Sequence, residues 1–302
     1  MGSLFRLRLR GDDEEHLIAV AEAALDEISR VERLLSWRDP RSEAARINRL
    51  AATEPVLVDF EMAEILVTCA TANSATEGYF DIAHHSRGRS VWEIDAASRL
   101  VQFHDPGVRL DFGAFGKGYA LERAAVELRR YGVMRGLLDG GTSSVLALGC
   151  DEAGKPWPVG LRDPFSVHAA ANSEPVEVSQ LMLSDSALSC SATFETGAAM
   201  TGDATTSDIV DPHDGRPRAE PAACAVVAKS AATAEILSTA LVCMGRLRAT
   251  PYTDLNKASA AARRLLHDVV SIDWLEPAPP AADARLAPIM VRLFPRSPGV
   301  ST

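Results

Sequence analysis

Residues 111–119 read Asp-Phe-Gly-Ala-Phe-Gly-Lys-Gly-Tyr, and a helical pattern runs from about Gly116 to Tyr131 before closing at Gly132. Glycines ahead of and inside a helix start expose backbone N–H groups and let a ligand approach the chain closely. Lys117 adds a compact positive charge, and the helix N-terminus favours an anion. Asp111 ends an expected strand, where it can accept hydrogen bonds from a ribose or a base. The segment is not a Walker A loop, which needs glycine where Asp111 stands and Ser or Thr where Gly118 stands. Nor is it a Rossmann fingerprint, because its spacing is G-x-x-G-K-G. Taken by themselves, these residues fit equally a phosphate-holding turn and a plain glycine-rich turn with an exposed lysine.

Composition narrows the possibilities. With 302 residues, 47% hydrophobic and 24% charged, the chain can bury a sizeable core. A net charge of −10 argues against nucleic acid as a partner but not against a small anion held locally. The five cysteines are scattered, with no C-x-x-C pair, which speaks against a disulfide framework or a zinc site. The opening MGSLFRLRLR has no continuous apolar stretch, and no run approaches the length of a membrane helix. The expectation is a cytoplasmic protein without an integral membrane segment, or an exported one if the natural N-terminus is longer. Oligomeric state is left open.

Along the chain, residues 4–10 alternate Phe5, Leu7 and Leu9 with Arg6, Arg8 and Arg10, as a half-exposed strand does. Asp12 or Asp13 caps a helix to about Leu35, with Leu17, Ala21, Leu25, Ile28 and Leu35 on its apolar face. A polar stretch with a short helix (36–55) precedes a helix from Asp59 to Gly78. Strands are expected at 90–95, 99–103, 107–112, 135–139, 143–149, 157–162, 186–190, 224–228, 269–274 and 287–294. Helices are expected at 231–245 and 255–267. The stretches 163–180 and 193–220 read as loops, and 276–284 as a Pro/Ala linker. Helices among short strands indicate a mixed α+β architecture. A single domain over residues 1–295 is expected, as one body or as two intertwined α/β lobes, with 296–302 as a flexible tail.

Further motifs accompany the glycine-rich segment in order. They are Met1-Gly2-Ser3, Ser36-Trp37-Arg38 with Ser42-Glu43 and Ile47-Asn48, and Gly78-Tyr79-Phe80-Asp81. Gly140-Gly141, Trp157-Pro158-Val159-Gly160, Ile209-Val210-Asp211-Pro212-His213-Asp214-Gly215-Arg216-Pro217, and Ala234-Glu235 with Ser238-Thr239-Ala240 follow. This set resembles the FAD:protein FMN transferases, the ApbE-like family. The resemblance covers most of the chain. It implies an α+β fold related to the T-fold, with mixed, largely antiparallel sheets flanked by helices.

What the resemblance implies for chemistry is transfer of FMN from FAD to a Ser or Thr of an acceptor protein, with AMP leaving and Mg²⁺ assisting. FAD contacts would fall on Met1, Trp37, Tyr79, Phe80, Asp81, Asp111, Lys117, Ile209 and Val210. The metal ligands would be the Ala114 carbonyl, the Glu235 carboxylate and the Thr239 hydroxyl. Lys117 would serve the reacting phosphate, and Asp208 stands where the family has its catalytic histidine. The chain departs from the family pattern at Glu122 and Glu235, each replacing Asp, at Thr142, which replaces an acid, and at Asp208. It also has Cys190-Ser191-Ala192-Thr193-Phe194 in place of T-S-G-D/E-Y. Two other outcomes share the same residues: FAD binding without catalysis, and FAD pyrophosphatase activity in which water replaces the acceptor hydroxyl.

Overall fold

The computed structural model describes residues 3–84, 91–141, 143–165, 177–193, 207, 209–218, 220–254, 257–276 and 289–292. Met1, Thr142, Phe194, Asp208, most of the 276–284 linker and the 296–302 tail therefore lie outside the described residues.

In chain order the elements are β1 (Arg6–Arg10), α1 (Glu14–Leu35), α2 (Glu43–Leu50), β2 (Val56–Leu57), α3 (Phe60–Ala75), β3 (Trp92–Asp95), β4 (Leu100–Phe103), α4 (Gly116–Arg130), β5 (Arg135–Asp139), β6 (Ser144–Leu148) and β7 (Trp157–Arg162). Next come β8 (Glu177–Leu183), β9 (Ser186–Ala192), β10 (Val210–Asp211), β11 (Arg216–Pro217), β12 (Ala223–Ala228), α5 (Ala231–Met244), α6 (Arg246–Thr253), α7 (Ala260–Leu266), β13 (Val269–Glu276) and β14 (Ile289–Arg292). Seven strands form one antiparallel sheet in the order β1-β5-β6-β9-β12-β13-β14. A three-stranded sheet (β2-β4-β3) and two two-stranded ones (β7-β8 and β10-β11) complete the set.

The interior strand β12, between β9 and β13, shows how sequence dictates the layers. Its run Ala-Cys-Ala-Val-Val-Ala is buried at every position. Alternate side chains must face opposite ways. Cys224, Val226 and Ala228 enter the main core beneath the helices, whereas Ala223, Ala225 and Val227 enter a smaller core with Trp157, Leu161, Leu181 and Leu183 of the β7–β8 hairpin. Both faces of the sheet are thus covered at its centre. Helices α1, α4 and α5 lie on the main-core side, with α4 packed against both α1 and α5.

Several sequence expectations change. The buried stripe of α1 is Val20, Ala24, Ile28, Val31 and Leu35, so the helix is rotated from the expected face and Leu25 is 38% exposed. That stripe lies on the side where α1 packs against α4. Residues 107–112 form no strand. The Asn48 side chain holds both backbone groups of Leu110, at 2.8 and 3.0 Å, and Asp111 N–H donates to the Ile82 carbonyl at 2.7 Å. A side chain and a loop thus occupy the groups that a ladder would use. Strand β8 begins inside the stretch expected to be loop. Helix α6 went unread because RLRATPYT carries no apolar stripe, and its one aliphatic side chain of any length, Leu247, is 91% exposed.

Helices α1, α3 and α4 are joined by a charged cluster. Arg30 donates to Glu27 and Glu61, Arg123 to Glu27, and the Tyr119 hydroxyl to Glu61. The hydrogen bonds from Arg30 hold both carboxyls below their ordinary 4.5, against the opposing effect of burial. A depressed folded-state value contributes stability that is present above the unfolded value and lost as pH falls through the folded one. The urea midpoint is therefore expected to fall as pH drops below about 4.5, and to fall less steeply in Arg30→Met. Equal slopes in the two proteins would show that the cluster contributes nothing.

Candidate active site at the crossing of two helices

Helix α4 starts at Gly116 with no side-chain cap of its own. Its unsatisfied first-turn N–H groups need partners from elsewhere. One comes from α5: the Glu235 carboxylate accepts from Gly118 N–H at 2.8 Å. Helix α5 begins at N-cap Ser230, whose hydroxyl receives Thr233 N–H at 3.0 Å. Ser230 is thus the side-chain cap of α5. Glu122 of α4 accepts from Ser230 Oγ at 2.6 Å and from Ala232 N–H at 3.1 Å. Each helix therefore places a glutamate on the N-terminus of the other, where a negative charge is favoured.

The contact between them is close. A Cβ at Gly118 would overlap the Ala231 carbonyl and come within 2.8 Å of Ala232 N. Glycine at 118 is needed for this helix crossing, in addition to any ligand it serves.

Glu235 is only 2% exposed and takes two further donors. Ser144 Oγ of β6 donates at 2.8 Å, and Lys117 Nζ lies 3.0 Å away, both on Oε1. Charge, burial and hydrogen bonding are mutually satisfied, as a buried ion requires. One turn further on, Thr239 Oγ1 lies 3.2 Å from Ser191 Oγ, within a run of hydroxyls that includes Ser238 and Ser189. Two turns from Glu235, Cys243 Sγ donates to the Val210 carbonyl at 3.5 Å. The same edge of α5 thus carries Glu235, Thr239 and the contact to β10.

The expected cofactor residues fall in three places. Asp111 caps its own turn, accepting from Gly113 N–H at 2.9 Å, and Ala114 stands at the mouth of α4 beside Lys117. Tyr79 and Asp81 sit beside the β10–β11 hairpin. The Tyr79 ring lies 4.4 Å from the His213 ring, and its hydroxyl receives Arg248 of α6. His213 bridges Asp211 Oδ1 at 3.1 Å and the Glu77 carbonyl at 3.1 Å. Burial pushes the Asp81 carboxyl up, while the Ala83 amide and the nearby His213 pull it down. Ile209 and Val210 are half-buried on that hairpin. The Phe80 ring is buried in the main core, and its carbonyl accepts from Asn73 Nδ2 at 2.8 Å. Trp37 is the third, with Arg109 4.1 Å and Arg38 4.6 Å from its ring centre, so guanidinium groups already stack on it. His84 is half-buried, with Nδ1 3.2 Å from the Asp81 carbonyl.

The proposed metal ligands do not fit a divalent cation as they stand. Glu235 already carries three donors, one of them a cation, and the Thr239 hydroxyl is hydrogen-bonded to Ser191. Among the described residues there is no group of three or more His, Cys, Asp or Glu placed to hold a metal. The cysteines are free, and burial pushes the Cys190 and Cys243 thiols up to about 12, which makes them inert apolar fillers. Sequence reasoning missed Ser144 and Ser230. A single serine at the start of strand β6 carries no local signal, and its role appears only when α5 is laid against it.

The model of the ApbE family matches residues 1–262, and this chain belongs to that family. A Rhodobacter capsulatus FAD:protein FMN transferase is 33% identical over 155 residues, covering 51% of this chain and 27% of that protein. A Klebsiella pneumoniae protein of the same name is 27% identical over 192 residues, covering 55% and 57%. This chain thus spans between about a quarter and somewhat more than half of these two relatives. The Vibrio cholerae structure described as a flavin transferase ApbE superposes with a TM-score of 0.72 at 19% identity, covering 97% of this chain and 94% of that one. The Thermotoga maritima ApbE protein gives 0.69 at 21% identity, covering 89% of each. At these identities the solved structures establish the fold, which is the mixed α+β, largely antiparallel one expected. Among the described residues no helix is long and apolar enough to cross a membrane.

Gly118→Ala is expected to lower the unfolding free energy by about 3 kcal/mol or more, through overpacking at Ala231. Ser144→Ala, which removes one donor from a buried carboxylate, should cost about 2 kcal/mol. Urea unfolding of each variant checks both, and a wild-type midpoint in Gly118→Ala would contradict the helix crossing described.

Proposed function

We propose that this chain binds FAD at the mouth of α4 and transfers its FMN half to a Ser or Thr hydroxyl of an acceptor protein. The observation that carries the reading is the family match over residues 1–262, which includes a glycine-lined helix N-terminus whose lysine is held in place. In the reaction the acceptor oxygen bonds to the FMN phosphorus, the P–O bond to AMP breaks, and the acceptor proton passes to a base. Negative charge gathers on phosphate oxygens, so a fixed cation and backbone N–H groups are the natural stabilisers. Lys117 supplies the first, and the turn from Gly113 to Gly116 lies beside it. Mg²⁺ is the cation that the resemblance implies, but Glu235 in its present bonding leaves it no vacant carboxylate. Asp208 is the base by its place in the motif, and a carboxylate acts there at neutral pH if its surroundings raise its pKa.

A second reading, FAD binding without transfer, is favoured by one observation. The glutamates at 122 and 235 are both engaged in holding helices together. The two readings separate when the protein is incubated with FAD and an acceptor, and AMP and acceptor-bound flavin are followed. Transfer predicts both products in equal amounts. AMP with free FMN would indicate a pyrophosphatase, and tight FAD binding with no AMP would indicate the non-catalytic form. Asp208→Ala is expected to slow transfer by about 10²-fold or more with FAD affinity unchanged. An unchanged rate would remove Asp208 from the mechanism.

A further inference from the structure

We infer that the Lys117 ammonium is the resident cation of this site, and that the chain holds the flavin phosphates without a divalent metal. This deepens the proposed FAD reading and rests on it for the ligand, but its observations are separate. Glu235 is the one carboxylate among Ala114, Glu235 and Thr239. Its two oxygens already receive Gly118 N–H, Ser144 Oγ and Lys117 Nζ, at 2.8, 2.8 and 3.0 Å. A metal bound there would sit against an ammonium on the same oxygen, in a nearly dry setting where like charges repel strongly. Turning the carboxylate toward a metal would strip the N-terminal N–H of α4 at the point where Gly118 packs on Ala231.

Mg²⁺ also demands near-octahedral oxygen geometry and is reluctant to shed water. Thr239, the only other side-chain oxygen offered, is already bonded to Ser191. Lys117 suits the task. Among the described residues its single ion-pair partner is Glu235, so further N–H bonds of the ammonium are free to meet an anion. Glu235 stands where the resemblance implies Asp. An added methylene extends the carboxylate by about 1.5 Å, enough to turn a metal ligand into a cap on the neighbouring helix.

Two measurements on the full chain test this. Mn²⁺ binding is followed by electron paramagnetic resonance in the absence of flavin, for wild type, Glu235→Gln and Thr239→Val. FAD affinity is measured by fluorescence quenching in excess EDTA and in excess Mg²⁺. The expectation is no stoichiometric Mn²⁺ site in wild type, and FAD affinities within about twofold of each other in the two buffers. Stoichiometric Mn²⁺ binding that weakens about tenfold or more in Glu235→Gln or Thr239→Val would overturn the inference. So would FAD binding that EDTA abolishes. If FAD binds in neither buffer, the proposed function fails, and the Mn²⁺ result alone still decides whether Lys117 has taken the metal's place.

Discussion

The structure depends on a reciprocal exchange between two helices. Glu122 of α4 holds the first turn of α5, and Glu235 of α5 holds the first turn of α4. A helix N-terminus buried without partners is costly, and α4, which has no side-chain cap of its own, depends on the partner from α5. Gly118 makes the exchange possible, because any side chain there would separate the helices. Ser144 ties the same carboxylate to β6, so the crossing is also fixed to the sheet.

That exchange sets where chemistry can occur. Lys117 is aimed by the glutamate that caps its helix, so the cation and the N–H groups beside it share one rigid origin. Along α5 the same edge passes from Glu235 to Thr239 and then to Cys243, which bonds Val210 of the β10–β11 hairpin. The hairpin holds His213 against Tyr79. Asp111 is anchored to the Tyr79–Ile82 segment through the Ile82 carbonyl. Residues from four distant parts of the chain are thus placed relative to one helix. Sites built in this way are held by packing and need little reorganisation when a ligand arrives.

Much of this fold was legible in the sequence. The alternation in β1, the Asp13 cap of α1, the Gly132 stop after α4 and the apolar run of β12 are local signals, and each gave its element. The family resemblance rested on ordered motifs and led to the same fold. Where local reading failed, a distant partner had decided the outcome. Asn48 drew residues 107–112 out of a strand, and α4 selected which face of α1 is buried. The site was legible as a set of residues but not as an arrangement. Nothing near Glu235 signals that Gly118, 117 positions away, is its partner, and nothing near Trp37 signals Arg109. The glutamates at 122 and 235 looked like two separate departures from a family pattern. In space they are one feature.

The most direct test of this account is a double-mutant cycle on Lys117→Met and Glu235→Gln, read by urea unfolding. A buried carboxylate that depends on its lysine predicts that the two single changes are each more damaging than their combination implies, with a coupling of about 2 kcal/mol or more. Additive effects, with a coupling near zero, would show that the Glu235 carboxylate that caps α4 does not also hold Lys117.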